Sequence, residues 1–205
     1  MNKYLILFAL SYLIGSIPFA YIIVRLFFRK DVRKEGSGNV GAMNSYEITG
    51  RKWVGFLVFV FDFLKGISVV LISRYYLPQD DFAILGASFF VVLGHNFSIF
   101  LRFKGGKGLA SSAGILFLVQ PFLLLLWIII WLVIYNLIKK DMDFANPATS
   151  VISPFLFFVL PEKFAQNVCI IPFQSRIVLY INIGLIALLI LSKYFIVLKL
   201  KLPKK

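Results

Sequence analysis

Residues 94–108 read GHNFSIFLRFKGGKG, and this stretch gathers chemistry for which a lipid-buried span has no use. It holds the one histidine of the chain, His95, with Asn96 beside it, the cations Arg102, Lys104 and Lys107, and the glycines Gly94, Gly105, Gly106 and Gly108. Glycines let the backbone turn its N–H groups toward one point, and neighbouring cations add charge, so the combination suits a cradle for phosphate. A second stretch, Glu35-Gly36-Ser37-Gly38-Asn39-Val40-Gly41-Ala42-Met43-Asn44, interleaves glycines with small hydroxyl and amide side chains ahead of an expected helix start. Both stretches border long apolar runs. The chemistry they suggest is the handling of a phosphate-bearing ligand at the lip of a membrane.

The elements that must position these groups follow from composition. The chain has 205 residues, 60% of them hydrophobic and 15% charged, with a mean hydropathy of +0.89. That is too apolar for a soluble domain and marks an integral membrane protein. The formal net charge of +13 does not point to nucleic acid, because the basic residues form short clusters flanking apolar runs, as the positive-inside rule requires. The lone Cys169 has no partner for an internal disulfide and reads as a packing residue. The first apolar run is long and no small-residue cleavage pattern follows it, so it is expected to remain in the mature protein.

Residues 4–28 are long enough to cross a bilayer with some tilt, and Gly15-Ser16-Ile17-Pro18 within them predicts a kink or a close helix contact. The following loop carries Arg29, Lys30, Arg33, Lys34, Arg51 and Lys52, which places it in the cytoplasm and the N-terminus outside. A second span, residues 53–76, carries Asp62 and Lys65 three positions apart, on one helical face where each can neutralise the other. Asp62 stands about 14 Å in from the cytoplasmic end of that span, at 1.5 Å per residue. Residues 82–101 return to the cytoplasmic side, bringing both glycine stretches to one face. Residues 109–138 are long for one crossing and short for two, and Gln120-Pro121 near the middle predicts two helices. The split also returns Lys139, Lys140, Lys199, Lys201, Lys204 and Lys205 to the cytoplasm. Asn146-Pro147-Ala148-Thr149-Ser150 is expected to open a helix reaching about residue 160, residues 161–175 form a mixed outer connection, and residues 176–198 make the last span. The expected fold is an all-α, polytopic membrane helix bundle of about seven helical segments. Its N-terminus is outside and its C-terminus cytoplasmic, and residues 1–205 form a single membrane domain without internal repeats.

Residue inventory removes several chemistries. The chain has no His/Cys/Asp/Glu cluster at metal-ligand spacing, no GxSxG elbow and no Walker motif. No metal or cofactor is expected. A transporter would concentrate its polar groups near the membrane midplane, whereas here they gather at one face.

Gly36-Ser37-Gly38-Asn39-Val40-Gly41-Ala42, together with Gly94-His95-Asn96 and Phe103-Lys104-Gly105-Gly106-Lys107-Gly108, closely resembles the bacterial acyl-phosphate:glycerol-3-phosphate acyltransferase family. Gly15-Ser16-Ile17-Pro18-Phe19 and Asp62-Phe63-Leu64-Lys65-Gly66 extend the likeness, which runs from about residue 13 to 153. The resemblance implies a seven-helix enzyme of the bacterial cytoplasmic (inner) membrane. Such an enzyme moves a fatty acyl group from acyl phosphate to the sn-1 hydroxyl of glycerol 3-phosphate, giving lysophosphatidic acid for phospholipid synthesis. It further implies His95, Lys104 and Ser37 as catalytic residues. Phosphate binding would fall to Gly36, Ser37, Gly38, Asn39, Gly41, Asn44, Lys104, Gly105, Gly106, Lys107 and Gly108, supported by Asp62, Lys65, Asn96 and Ser150. His95 either orients loop and substrate or acts as general base; both readings stand at this point. Partners are then the two phosphorylated substrates and the lipid bilayer, with no nucleic acid. The chain departs from the family pattern at Met43, usually threonine, and at Glu47, usually arginine. It departs again in the last helix, where Ser192-Lys193-Tyr194 lacks the family's Asn and the later Glu. An acid at Glu47 reverses the local field where an anion is to bind, so a diverged paralogue that binds phosphate or phospholipid without transfer is the alternative.

Overall fold

A computed structural model describes residues 2–159 and 169–201, the side chains of 198–201 excepted. Lys204, Lys205, the side chains of Lys199 and Lys201, and most of the outer connection, residues 161–168, therefore lie outside the described residues. The regular structure of the described residues is all helix, with no strand among them. They form α1 (Lys3–Ser16), α2 (Phe19–Phe28), α3 (Ala42–Thr49), α4 (Lys52–Tyr76), α5 (Asp81–Asn96) and a 3-10 turn (Ile99–Leu101). These are followed by α6 (Leu109–Val119), α7 (Pro121–Val133) continuing as a π-helix (Ile134–Ile138), α8 (Met142–Val159) and α9 (Arg176–Lys201). Among the described residues, five stretches are long and apolar enough to cross a membrane: Lys3–Phe28, Lys52–Tyr76, Asp81–Leu101, Pro121–Ile138 and Arg176–Val197. Exposed side chains such as Leu26, Phe56, Phe155 and Leu188 are what lipid-facing helices present. A water-soluble surface would hide patches of that size.

The chain divides into two compact units, Met1–Ile115 and Leu116–Lys205. In the first, α1 packs along α5 with glycine at the crossing. A Cβ at Gly15 would fall on the Val91 backbone, and one at Gly94 on the Tyr12 carbonyl. Only glycine permits that approach, the device membrane helices use where apolar burial gives them little to associate by. A second packing centre joins α2, α4 and the loop between α2 and α3 through Val24, Val32, Val40, Val54 and Val58. Val32 and Val40 thereby nail both ends of the first glycine stretch to the helices beneath it.

In the second unit, Leu123, Phe157, Leu179 and Ile183 form the core. The N–H groups of Ile170 and Ile171 both donate to the Leu118 carbonyl, at 3.1 and 2.8 Å. Pro121 does start a new helix, leaving α6 only about 16 Å long at 1.5 Å per residue. Two boundaries differ from expectation. The first apolar run is broken outright at Ile17–Pro18 into α1 and α2. The helix expected to open at Asn146 begins at Met142, with Pro147 inside it. Asp141 explains the early start: its side chain accepts from Asp143 N at 2.8 Å, and its carbonyl accepts from Phe144 N and Ala145 N at 3.2 and 2.8 Å. That cap offsets the hydrogen bond Pro147 cannot make.

Candidate active site

Proline at position 18 removes a donor, and the carbonyls ending α1 are left without helical partners. Lys65 of α4 supplies them: its Nζ donates to the Ile17 carbonyl at 2.5 Å and to the Gly15 carbonyl at 3.2 Å. The same ammonium lies 2.7 Å from Asp62 Oδ1, both side chains being 3% exposed. The three-residue spacing thus produces the expected pair on one helical face. Asp62 Oδ1 also faces His95 Nδ1 at 3.6 Å, and Ser111 Oγ stands 3.4 Å from the same nitrogen. Ser98 Oγ donates to the Ser16 carbonyl at 2.5 Å. Around these groups lies a cavity of the first unit, walled by the Gly15–Ala20 break, Val40, Asp62, Lys65, His95, Ser98, Leu101, Gly105 and Gly106.

The second glycine stretch folds back over the end of α5. Phe103 N donates to the Ser98 carbonyl at 2.8 Å, Gly105 N to the Asn96 carbonyl at 3.1 Å and Gly106 N to the His95 carbonyl at 3.0 Å. The reversal runs through Arg102 and Phe103, both left-handed at φ 53° and 62°. The N–H groups of Gly105 and Gly106, expected to face a phosphate, here complete the C-terminus of α5. Lys104 is exposed, Lys107 half-buried, and Gly108 accepts from Ser112 N at 2.9 Å, which starts α6.

In the first stretch the buried Asn44 organises the loop. Its Nδ2 donates to the carbonyls of Val32, Asn39 and Glu35 at 2.9, 3.0 and 3.2 Å, while its Oδ1 accepts from Ser37 N at 2.9 Å. Gly38 N donates to the Glu35 carbonyl, Gly41 N to the Asn39 carbonyl, and Asn39 N to Ser37 Oγ. Of the residues expected to bind phosphate, Asn44 thus commits its amide to the loop itself, and the N–H groups of Ser37, Gly38, Asn39 and Gly41 meet acceptors within the loop. Gly36 and Gly38 take positive φ, and the Ser37 side chain remains exposed.

Arg33 closes the loop on its other side, donating to Asp31 at 2.9 and 2.7 Å and lying over the Tyr21 ring. Those side-chain hydrogen bonds hold the Asp31 carboxyl at about 2, below its ordinary 3.8. A depressed carboxyl contributes stability that is complete above its ordinary value and lost as pH falls through the lowered one. Limited proteolysis of residues 29–41 is therefore expected to be unchanged between roughly pH 7 and pH 5, and to accelerate as pH falls from about 4 toward about 2. Asp31→Asn should be cut faster above that window and converge with the unmodified protein below it.

The structure brings Val40 of the first stretch and His95, Gly105 and Gly106 of the second to one cavity, with Asp62 and Lys65 beneath. Gly36, Ser37, Gly38, Asn39, Gly41, Lys104, Lys107 and Gly108 do not line it. Ser150 belongs to the second unit, where its Oγ donates to the Asn146 carbonyl and accepts from Trp127 Nε1. Asn146 itself accepts from Trp131 Nε1 at 2.7 Å and donates to Tyr194 OH at 2.7 Å, which ties α8 to α9. Sequence reasoning missed Ser16, Ser98 and Ser111. The Gly-Ser-Ile-Pro run was the available signal for the first of these; the other two carried none.

Comparison with known proteins bears on what this cavity does. A sequence profile described as glycerol-3-phosphate acyltransferase matches residues 5–198. The chain is 40% identical over 171 residues to the glycerol-3-phosphate acyltransferase of Pelagibacter ubique, covering 83% of this chain and 86% of the relative. It is 41% identical over 141 residues to that of Staphylococcus haemolyticus, covering 65% and 69%. Its structure superposes on the glycerol 3-phosphate form of PlsY (YgiH), an integral membrane glycerol 3-phosphate acyltransferase, with a TM-score of 0.79 and 31% identity over 97% of this chain and 91% of the other. A match from residue 5 to 198 leaves little of the chain outside it, and this membrane acyltransferase belongs to the glycerol-3-phosphate acyltransferase family.

Proposed function

We propose that the protein transfers a fatty acyl group from acyl phosphate to the sn-1 hydroxyl of glycerol 3-phosphate. The hydroxyl oxygen bonds to the acyl carbonyl carbon, the bond from that carbon to the phosphate oxygen breaks, and inorganic phosphate leaves with lysophosphatidic acid as product. The observation that carries the reading is the meeting of Val40 from the first stretch with His95, Gly105 and Gly106 from the second at one cavity. The exposed hydroxyl of Ser37 and ammonium of Lys104 stand ready for phosphate on the loops that bound it. His95 turns Nδ1 to Asp62 and Ser111 and Nε2 toward Gly106, a direction from which it can orient the acceptor hydroxyl and take its proton. With two phosphorylated substrates held side by side, the chemistry needs positioning and charge stabilisation and no acyl-enzyme. The cations at Arg29–Lys34, Arg51, Lys52, Arg102, Lys104 and Lys107 favour a cytoplasmic site in a bacterial inner membrane, with the N-terminus outside.

Purified protein given acyl phosphate and labelled glycerol 3-phosphate is expected to release lysophosphatidic acid and phosphate in equal amounts. Retained acyl-phosphate binding without product would convert the reading to a non-catalytic phosphate-binding protein. Lys104→Ala should raise the KM for a phosphorylated substrate by about 10-fold or more, the loss of one charge-assisted hydrogen bond. Its thermal unfolding should not move, because the side chain is exposed. An unchanged KM would remove Lys104 from the site.

A further inference from the structure

Asp62 and Lys65 are buried charges in a membrane-spanning helix, each 3% exposed, where an apolar pair would be cheaper to accommodate. Lys65 is already engaged within the protein: its ammonium donates to the Ile17 and Gly15 carbonyls and lies 2.7 Å from Asp62 Oδ1 as an ion pair. The ring of Phe19 lies 4.9 Å from the same nitrogen. Asp62 Oδ1, held by that ammonium, is also the oxygen facing His95 Nδ1 at 3.6 Å. His95 in turn accepts the Gly106 N–H on its backbone carbonyl, and a Cβ on Gly106 would meet its Nε2. The broken helix, the ion pair, the histidine and the glycine turn are therefore one connected set.

We propose that Asp62 and Lys65 are positioning residues for acyl transfer. Lys65 staples the carbonyls freed at the Ile17–Pro18 break, and the carboxylate beside it sets a negative charge 3.6 Å from His95 Nδ1, favouring the ring orientation that keeps Nε2 against Gly106. This rests on the acyl-transfer reading of the cavity. A carboxylate behind an imidazole fixes the ring's orientation and tautomer, the part second-layer acids play for histidines at other sites.

The test is a double-mutant cycle on the full-length protein in phospholipid vesicles, with kcat and KM measured for both substrates. Asp62→Asn is expected to lower kcat by roughly 10²-fold with KM nearly unchanged, the loss that follows a displacement of about 1 Å in a reacting group. His95→Asn should fall at least as far, and the double variant no further than His95→Asn alone, since Asp62 acts through His95. Losses that multiply in the double variant, or a kcat for Asp62→Asn equal to that of the unmodified protein, would overturn the proposal. If Asp62→Asn does not assemble, the charge-neutral pair Asp62→Asn/Lys65→Gln takes its place, keeping donors for the Gly15 and Ile17 carbonyls. A folded neutral pair with lowered kcat supports the proposal; one that does not fold, or that keeps full kcat, makes the ion pair a packing device only. Absence of product from the unmodified protein overturns the acyl-transfer reading itself, an outcome distinct from any of these.

Discussion

Alanine at Gly106 is expected to lower kcat for acyl transfer by about 10²-fold or more, the loss that accompanies a displacement of about 1 Å among reacting groups, while leaving the helices assembled. The added methyl would meet His95 Nε2 and the Val40 carbonyl oxygen together. Neither has room to withdraw. Val40 is 4% exposed and packs into the α2–α4 core, and the carbonyl of the preceding Asn39 is held by Asn44. The His95 ring stands between the methyl on one side and Asp62 and Ser111 on the other. Either the ring turns away or the two glycine stretches separate, and both change the distance between Nε2 and anything bound in the cavity. Gly106 is not among the left-handed glycines, so the effect is steric and local. The check is kcat at saturating substrates alongside the thermal unfolding midpoint. Gly184→Ala serves as the control, since a Cβ there meets nothing within 4 Å. Normal turnover in Gly106→Ala would detach His95 from the chemistry.

The parts of this molecule governed by local rules were legible in its residues. Hydropathy and length located the spans, Pro121 announced the division between α6 and α7, and the spacing of Asp62 and Lys65 put them on one face. The helix start at Met142 was hidden because Asp141 caps it, and Asp141 in sequence looks like part of a polar loop. The glycine stretches stood out in the sequence, but their hydrogen bonding did not. Whether an N–H faces a ligand or a carbonyl depends on how the chain folds back. At Gly105 and Gly106 the end of α5 presents two carbonyls, those of Asn96 and His95, which take these N–H groups. A run of glycines beside lysines cannot reveal that competition. The same limit hid the role of Lys65: the carbonyls it binds belong to another helix, some fifty positions away in the chain.

Asn44→Asp is expected to destabilise the protein by about 3 kcal/mol or more, and by more than Asn44→Ala, before any substrate is present. The amide nitrogen of Asn44 donates to three carbonyls, those of Val32, Glu35 and Asn39, from a side chain 1% exposed. Aspartate keeps the oxygen that accepts from Ser37 N but sets a second, negatively charged oxygen against those three acceptors. It thus loses three hydrogen bonds and adds repulsion in a site that water does not reach. Alanine only deletes the donors, and the carbonyls of Glu35 and Asn39, on partly exposed residues, can turn toward solvent. A residue whose work was to hold substrate phosphate would behave differently: both variants would raise KM, while the empty protein would unfold at its usual temperature. The order of unfolding midpoints measured without ligand, unmodified above alanine above aspartate, therefore separates a residue that builds the loop from one that grips the ligand. With the loop loosened, Val40 loses its fixed place in the cavity wall, and acyl transfer should fall in the same order as stability.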